Sequence, residues 1–228
     1  MAYFTKDFID FFKELAANNK KEWFDSNRQR YEKSVKQPFA EFVQEMIDRI
    51  RADDPKVDIS TKDAIFRINR DVRFSKDKTP YKTHMAAIIS ARGKKDKGFP
   101  GNYFQMGADE IRIYGGAHMI DKDVLHRLRK QIADNQEGFS SVLGAKEFKS
   151  KFGEIHGEQN KRIPGEFQAA AEKQPLIFNK AFYYFAKLDA KLLLDENLTD
   201  TFMDYYHAGK PVNELLQKAF QARCDPNV

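Results

Sequence analysis

The hydrophobic period of this chain changes twice, and those two changes limit its fold more than any other feature. Near the start, Phe8, Ile9, Phe11, Phe12 and Leu15 recur at helical spacing, with Thr5 placed to cap and Asn18-Asn19 to stop the helix. A second helix is predicted to carry Trp23, Phe24, Asn27 and Tyr31. Pro38 suits the first turn of a third, whose stripe is Phe39, Phe42, Val43, Met46, Ile47 and Ile50 and which Asp53-Asp54-Pro55 ends. Near residue 64 the period becomes two. Residues 64–75, 85–92, 103–106 and 111–119 read as strands, with Gly107-Ala108-Asp109-Glu110 as a hairpin turn. Helical spacing returns at Asp121, a good cap, with Val124, Leu125, Leu128 and Ile132 on one face. Further helices are predicted over 138–151, 176–194, 199–207 and 211–222, with Pro211 opening the last. Helices, then strands, then helices imply an α+β fold: an antiparallel sheet over about residues 64–119 flanked by N-terminal and C-terminal helices. The 228 residues are expected to form a single domain over 1–228, ending in a frayed tail at 223–228.

Charge is spread unevenly. The chain has 39 Lys and Arg against 34 Asp and Glu, a formal +5. Residues 61–98 alone hold eleven cations and four carboxylates, so the rest of the chain is slightly acidic. Such concentration creates a local field that attracts anions. Lys94, Lys95 and Lys97, in the polar stretch Arg92 to Gly98, read equally well as a solvated face.

The arginines are more informative because of their phase. In an extended run, Phe66, Ile68, Val72 and Phe74 fall on one face and Arg67, Asn69, Asp71 and Arg73 on the other. Same-face neighbours lie roughly 7 Å apart. Arg67 and Arg73 would converge on one patch with Asp71 between them, and a phosphate or carboxylate fits such a guanidinium fork. Arg70 falls on the apolar face. It must be rotated out by a bulge or paired, with Asp63, Asp71 and Asp77 nearest in sequence. The connection Ser75-Lys76-Asp77-Lys78-Thr79-Pro80-Tyr81-Lys82 is longer than a tight hairpin needs, and Pro80 stiffens it. It could hold Lys78, Tyr81 and Lys82 over the arginine face. The expected ligand set is therefore Arg67, Arg70, Asp71, Arg73, Ser75, Lys78, Tyr81 and Lys82.

The run from Phe66 to Thr83, FRINRDVRFSKDKTPYKT, resembles the signature of the bacterial and fungal family known as domain of unknown function 2461. Asn18-Asn19-Lys20-Lys21-Glu22-Trp23-Phe24 is similar to that family's other N-terminal mark. Tyr114-Gly115-Gly116-Ala117 resembles its glycine-rich strand, and Lys161-Arg162-Ile163-Pro164-Gly165 its later Pro-Gly element. The likeness runs from about residue 3 to 222. It implies one α+β domain and carries no settled activity.

Other motifs are weaker. Ser75-Lys76-Asp77-Lys78 satisfies the Ser-x-x-Lys pattern of serine acyl-enzymes, but the serine ends a predicted strand instead of opening a helix. Gly115-Gly116 inside a strand signals a bulge, a ligand or another backbone close by. Tyr114 and His118 share a strand face, where the histidine reads as an ordinary hydrogen-bonded one ahead of an acid–base group. His84, His118, His126, His156 and His207 lack metal-ligand spacing, and Cys224 alone makes no internal disulfide or multi-cysteine site, so no metal and no cofactor is expected. No secretory signal and no spanning run is read, so no membrane is expected and the cytoplasm is the default location. The first functional expectation is a basic pocket binding a phosphorylated or other anionic small molecule. Nucleic-acid binding, with Phe74, Tyr81, Phe99, Tyr103 and Phe104 available for stacking, is the second. The third is an Arg–Asp network that holds an interaction surface without catalysis. The residues name no reaction.

Overall fold

The computed structural model describes residues 2–221. Cys224 and the tail from 223 lie outside the described residues. The architecture is α+β: a four-stranded antiparallel sheet in the order β1-β2-β3-β4, with helices before and after it in the chain. The strands are β1 (His84–Ile89), β2 (Gly101–Gly107), β3 (Glu110–Ala117) and β4 (Phe182–Asp189). Ala108-Asp109 joins β2 to β3. Contacts divide the described residues into two compact units interleaved in sequence, one of residues 2–94, 103–113 and 187–204, the other of 95–102, 114–186 and 205–221.

The first unit opens with α1 (Lys6–Ala17), α2 (Lys21–Ser26) and α3 (Arg28–Tyr31). A π-helical turn, Glu32–Lys36, leads into α4 (Gln37–Asp53), and the single turn α5 (Thr61–Ala64) follows. Thr5 stands at the start of α1 in extended conformation, but its side chain makes no capping bond. Every apolar residue expected on the inner faces of α1 and α4 is buried. Phe42, Phe104 and Phe202 meet edge to face, with centroids 5.1–5.8 Å apart, at the centre of this core.

The second unit holds α6 (Lys122–Asp134), α7 (Gln136–Gly144), α8 (Lys146–Phe152) and α9 (Gln168–Lys173). Its core centres on Tyr184, ringed edge-on by Phe148 and Phe152. The Tyr184 hydroxyl donates to the Gly209 carbonyl at 2.9 Å. Arg129 is also buried, and burial lowers its pKa. Its guanidinium donates to the carbonyls of Ile177 (2.8 Å) and Asn179 (3.3 Å).

The single helices expected over 138–151 and around Trp23 to Tyr31 are each two, α7 and α8 parted at Ala145, and α2 and α3 parted at Asn27. Three further expectations about elements need correction. The helix predicted over 176–194 is strand β4 between two 3-10 turns, Pro175–Phe178 and Ala190–Leu194. Phe182, Tyr184 and Ala186 point inward while Tyr183 and Phe185 are half-buried, and this alternation of β-favouring aromatics follows a period of two. The separate helices over 199–207 and 211–222 are one, α10 (Leu198–Gln221), with Pro211 inside it. Leu198, Phe202, Tyr206, Val212, Leu216 and Ala219 are buried on both sides of the proline, and that burial outweighs the backbone hydrogen bond Pro211 cannot make. Last, the strand over 64–75 does not form. Ser60 and Asp63 build a capping box that folds Thr61–Ala64 into a helical turn, and Lys94 donates to the carbonyls of Lys62 and Ile65 at its end. Beyond it, only the bridges Ile65↔Ala87 and Asn69↔Tyr81 remain. They are four residues apart on one side and six on the other, so the second side carries two extra residues and the ladder breaks.

The glycines of β3 answer the sequence question about them. A Cβ on Gly115 would lie 2.2 Å from the Tyr184 ring, and one on Gly116 would lie 2.1 Å from the Phe182 carbonyl oxygen. Another side chain and another backbone fill the space.

Candidate functional site

The basic segment 66–83 lies wholly in the first unit. Its conformation follows from two short-range devices. The Asp71 carboxylate accepts the backbone N–H of Arg73 (3.3 Å), and the Asp77 carboxylate accepts that of Thr79 (2.9 Å). Aspartates bonding two residues ahead compete with strand pairing, which is why the chain turns at Arg73-Phe74 instead of extending. Sequence phase therefore fails past Asn69. Phe74, expected on the apolar face, is 95% exposed.

Arg70 is the hub of the loop. Its guanidinium donates to Asp77 at 2.5 Å, to the Thr79 hydroxyl and carbonyl, and to Ser75 Oγ at 3.4 Å. Of the three carboxylates nearest in sequence, Asp77 is its partner. The Thr79 backbone N–H, the Arg70 guanidinium and the Thr79 hydroxyl together hold the Asp77 carboxyl down at about 2. Ser75 receives its bond from a permanently charged guanidinium that cannot take its proton, while Lys78 donates to the Val72 carbonyl at 2.9 Å. That pairing does not resemble an acylating Ser–Lys dyad.

Asp71 and Arg73 form a bidentate pair (3.0 and 2.7 Å) open to solvent. The Arg73 side chain and then its backbone N–H lower the Asp71 pKa, and Arg67 adds to the same effect. Arg67 is exposed, and its side chain makes no hydrogen bond among the described residues. Lys82 donates to the Arg67 carbonyl at 3.0 Å and lies over the Phe66 ring. Arg67, Asp71 and Arg73 are thus all exposed, with Asp71 paired to Arg73 and within the field of Arg67, while Arg70 and Ser75 belong to the frame beneath the loop. Tyr81 is buried and stacks on Phe24, with centroids 4.0 Å apart. It does not stand over the arginines.

Asn19 completes the frame. Its side-chain amide donates to the Tyr81 carbonyl (2.9 Å) and accepts the Tyr81 N–H (3.1 Å), acting as one rung of a ladder. The stretch around Asn19 and Phe24 and the stretch 66–83 therefore meet at Tyr81. Both lie within residues 7–215, which match the family described as conserved hypothetical protein (DUF2461). The chain belongs to the DUF2461 family. No curated protein matches it.

Within this member of the family, sequence reasoning missed Asn19 and Thr79, the two polar residues that fix the loop. The Asp-x-Thr spacing of an aspartate-led turn was the available signal for Thr79. For Asn19, 62 positions away from its partner, local sequence offers none. Among the described residues no group of three or more His, Cys, Asp or Glu gathers as a metal site, and no described helix is long and apolar enough to cross a membrane.

Arg70→Ala is expected to cost about 1–3 kcal/mol, because it strips a three-quarters-buried hub from Asp77 and Thr79. Limited proteolysis should then cut within 71–78 much faster than in the parent. Equal cutting rates would show that the loop is held by something else.

Proposed function

We propose that this chain is an anion-binding protein of the cytoplasm and that its ligand carries phosphate groups. The observation behind this reading is the charge left over on the loop. Residues 66–83 hold six cations and two carboxylates, and those carboxylates are engaged by Arg70 and Arg73. Arg67, Lys76 and Lys78 are exposed in the same segment as the Asp71–Arg73 pair. A phosphate oxygen competing for Arg73 would meet a guanidinium whose present partner is solvent-exposed and so only weakly held. Each charge-assisted bond to such a ligand contributes roughly 1.5–3 kcal/mol. The ligand-binding set is then Arg67 and Arg73, with Lys78 and Lys82 at the flanks and Arg70, Asp71, Ser75 and Tyr81 keeping the loop in shape. The reading assigns binding and no reaction.

Inorganic tripolyphosphate should raise the melting temperature of the parent protein. Arg67→Ala and Arg73→Ala should each reduce that rise, and the double variant should abolish it while keeping the parent's far-UV circular dichroism. An undiminished rise in the double variant would remove the basis of the proposal.

A second reading also has an observation behind it. The pairs Arg70–Asp77 and Arg73–Asp71 are bonds of the loop to itself, as a purely architectural Arg–Asp network would make. It expects no phosphate effect on melting at all.

A further inference from the structure

We infer that the phosphate-bearing partner is a single-stranded nucleic acid, gripped by stacking of an unpaired base on Phe74. This rests on the anion-binding reading and adds the identity of the ligand. Phe74 sits at the turn of the loop, 95% exposed, with the Arg73 guanidinium 5.9 Å from the centre of its ring. Single exposed apolar residues are ordinary on protein surfaces. This one is different in its mounting. Below it the loop is pinned by Arg70 to Asp77 and Thr79, by the two aspartate-led turns, and by Asn19 to Tyr81. The ring is therefore presented to water on a pinned frame, beside the Arg73 guanidinium.

A ligand that satisfies both halves of this surface must bear phosphates spaced along a backbone and a flat apolar face within reach of them. A nucleic-acid strand with unpaired bases does so, whereas a duplex hides its base faces inside the stack. Stacking of one base on an aromatic side chain strengthens binding by about tenfold. The other expected stacking residues are not presented in this way: Tyr81, Phe99 and Phe104 are buried, and Tyr103 is half-buried with its ring edge-on to Phe66 at 5.9 Å. An anionic membrane would also favour cations around an apolar tip. Stable surface insertion needs a larger apolar area than one ring provides, so the strand is the better fit.

The test uses the full chain at low salt with a fluorescently labelled oligothymidylate, an abasic oligonucleotide of equal length, and vesicles of phosphatidylserine and phosphatidylcholine. The parent should bind the oligothymidylate more tightly than the abasic strand. Phe74→Ala should weaken the oligothymidylate about tenfold and leave the abasic strand unchanged, since the side chain supports no packing. Arg73→Ala should weaken both. If Phe74→Ala binds oligothymidylate like the parent, or both strands bind the parent equally, the stacking inference falls; the anion reading then stands on the Arg73→Ala result and the tripolyphosphate melting shift. If neither strand binds, the inference falls and the melting shift alone judges the anion reading. Vesicle binding that depends on Phe74, without strand binding, overturns the inference in favour of a membrane surface.

Discussion

Gly116→Ala is expected to lose most or all of the folded protein. Gly116 has φ +91°, a region that L residues with a side chain occupy only under strain. Its new methyl would sit 2.1 Å from the Phe182 carbonyl oxygen and 2.9 Å from the Tyr183 Cα. Both are backbone atoms of β4, so neither can swing aside as a long side chain could. Relief requires β3 and β4 to separate, which would also disturb the Gly116 N–H bond to Asn213 (2.8 Å). Strain and overpacking together should exceed about 4 kcal/mol. Gly165→Ala is the control, because a Cβ there meets nothing within 4 Å. Denaturant unfolding should place Gly165→Ala beside the parent and Gly116→Ala far below it, or show no folded baseline. A midpoint for Gly116→Ala equal to the control's would mean that the β3–β4 approach is not as close as described.

Acid should destabilise the protein well before its carboxylates titrate, and His84 should be the cause. Burial pushes the His84 imidazole from its ordinary 6.5 down to about 4, and the charges of Lys82 and Arg112 add to the shift. Folded chains keep His84 neutral until about pH 4, while unfolded chains take up the proton near pH 6.5. Between those values the unfolded state binds more protons, so stability falls as pH falls, by about 3 kcal/mol over the window. Below pH 4 both states are protonated at His84 and its contribution stops growing. Asp77 then takes over with a depressed carboxyl: its contribution is present above 3.8 and is lost as pH falls toward 2. Urea unfolding of the parent and of His84→Gln at pH 7, 5.5 and 4.2 separates the effects. The parent should lose stability across this series and the variant should lose much less. Parallel curves would show that the folded protein takes up the His84 proton as readily as the unfolded chain does.

How much of this was legible depends on whether neighbours in sequence or neighbours in space set each residue's environment. Helices α1, α4 and α6 were legible because their buried residues keep one unbroken stripe. The aromatic run of β4 was not. Phe182-Tyr183-Tyr184-Phe185-Ala186 is apolar throughout, and its two phases separate only once β3 lies alongside. Pro211 was a sound local signal that lost to packing along α10. At the site, the concentration of cations was plain from composition. Exposure was not. Phe74 and Tyr81 are both aromatic residues of the same motif, yet one is 95% and the other 6% exposed. The turn at Arg73-Phe74 and the ring of Phe24 make that difference.

The order of residues alone determined the α+β class, the helices with a continuous apolar stripe and the place where positive charge accumulates, since periodicity and charge density are local sums over neighbours in the chain. Tertiary structure alone decided which of those charges are consumed by Asp71 and Asp77, that Asn19 clasps Tyr81 across 62 positions, and which aromatic faces water. The reason is that hydrogen bonding and burial depend on what arrives in space from elsewhere in the chain. A residue's own neighbourhood in sequence does not record that arrival.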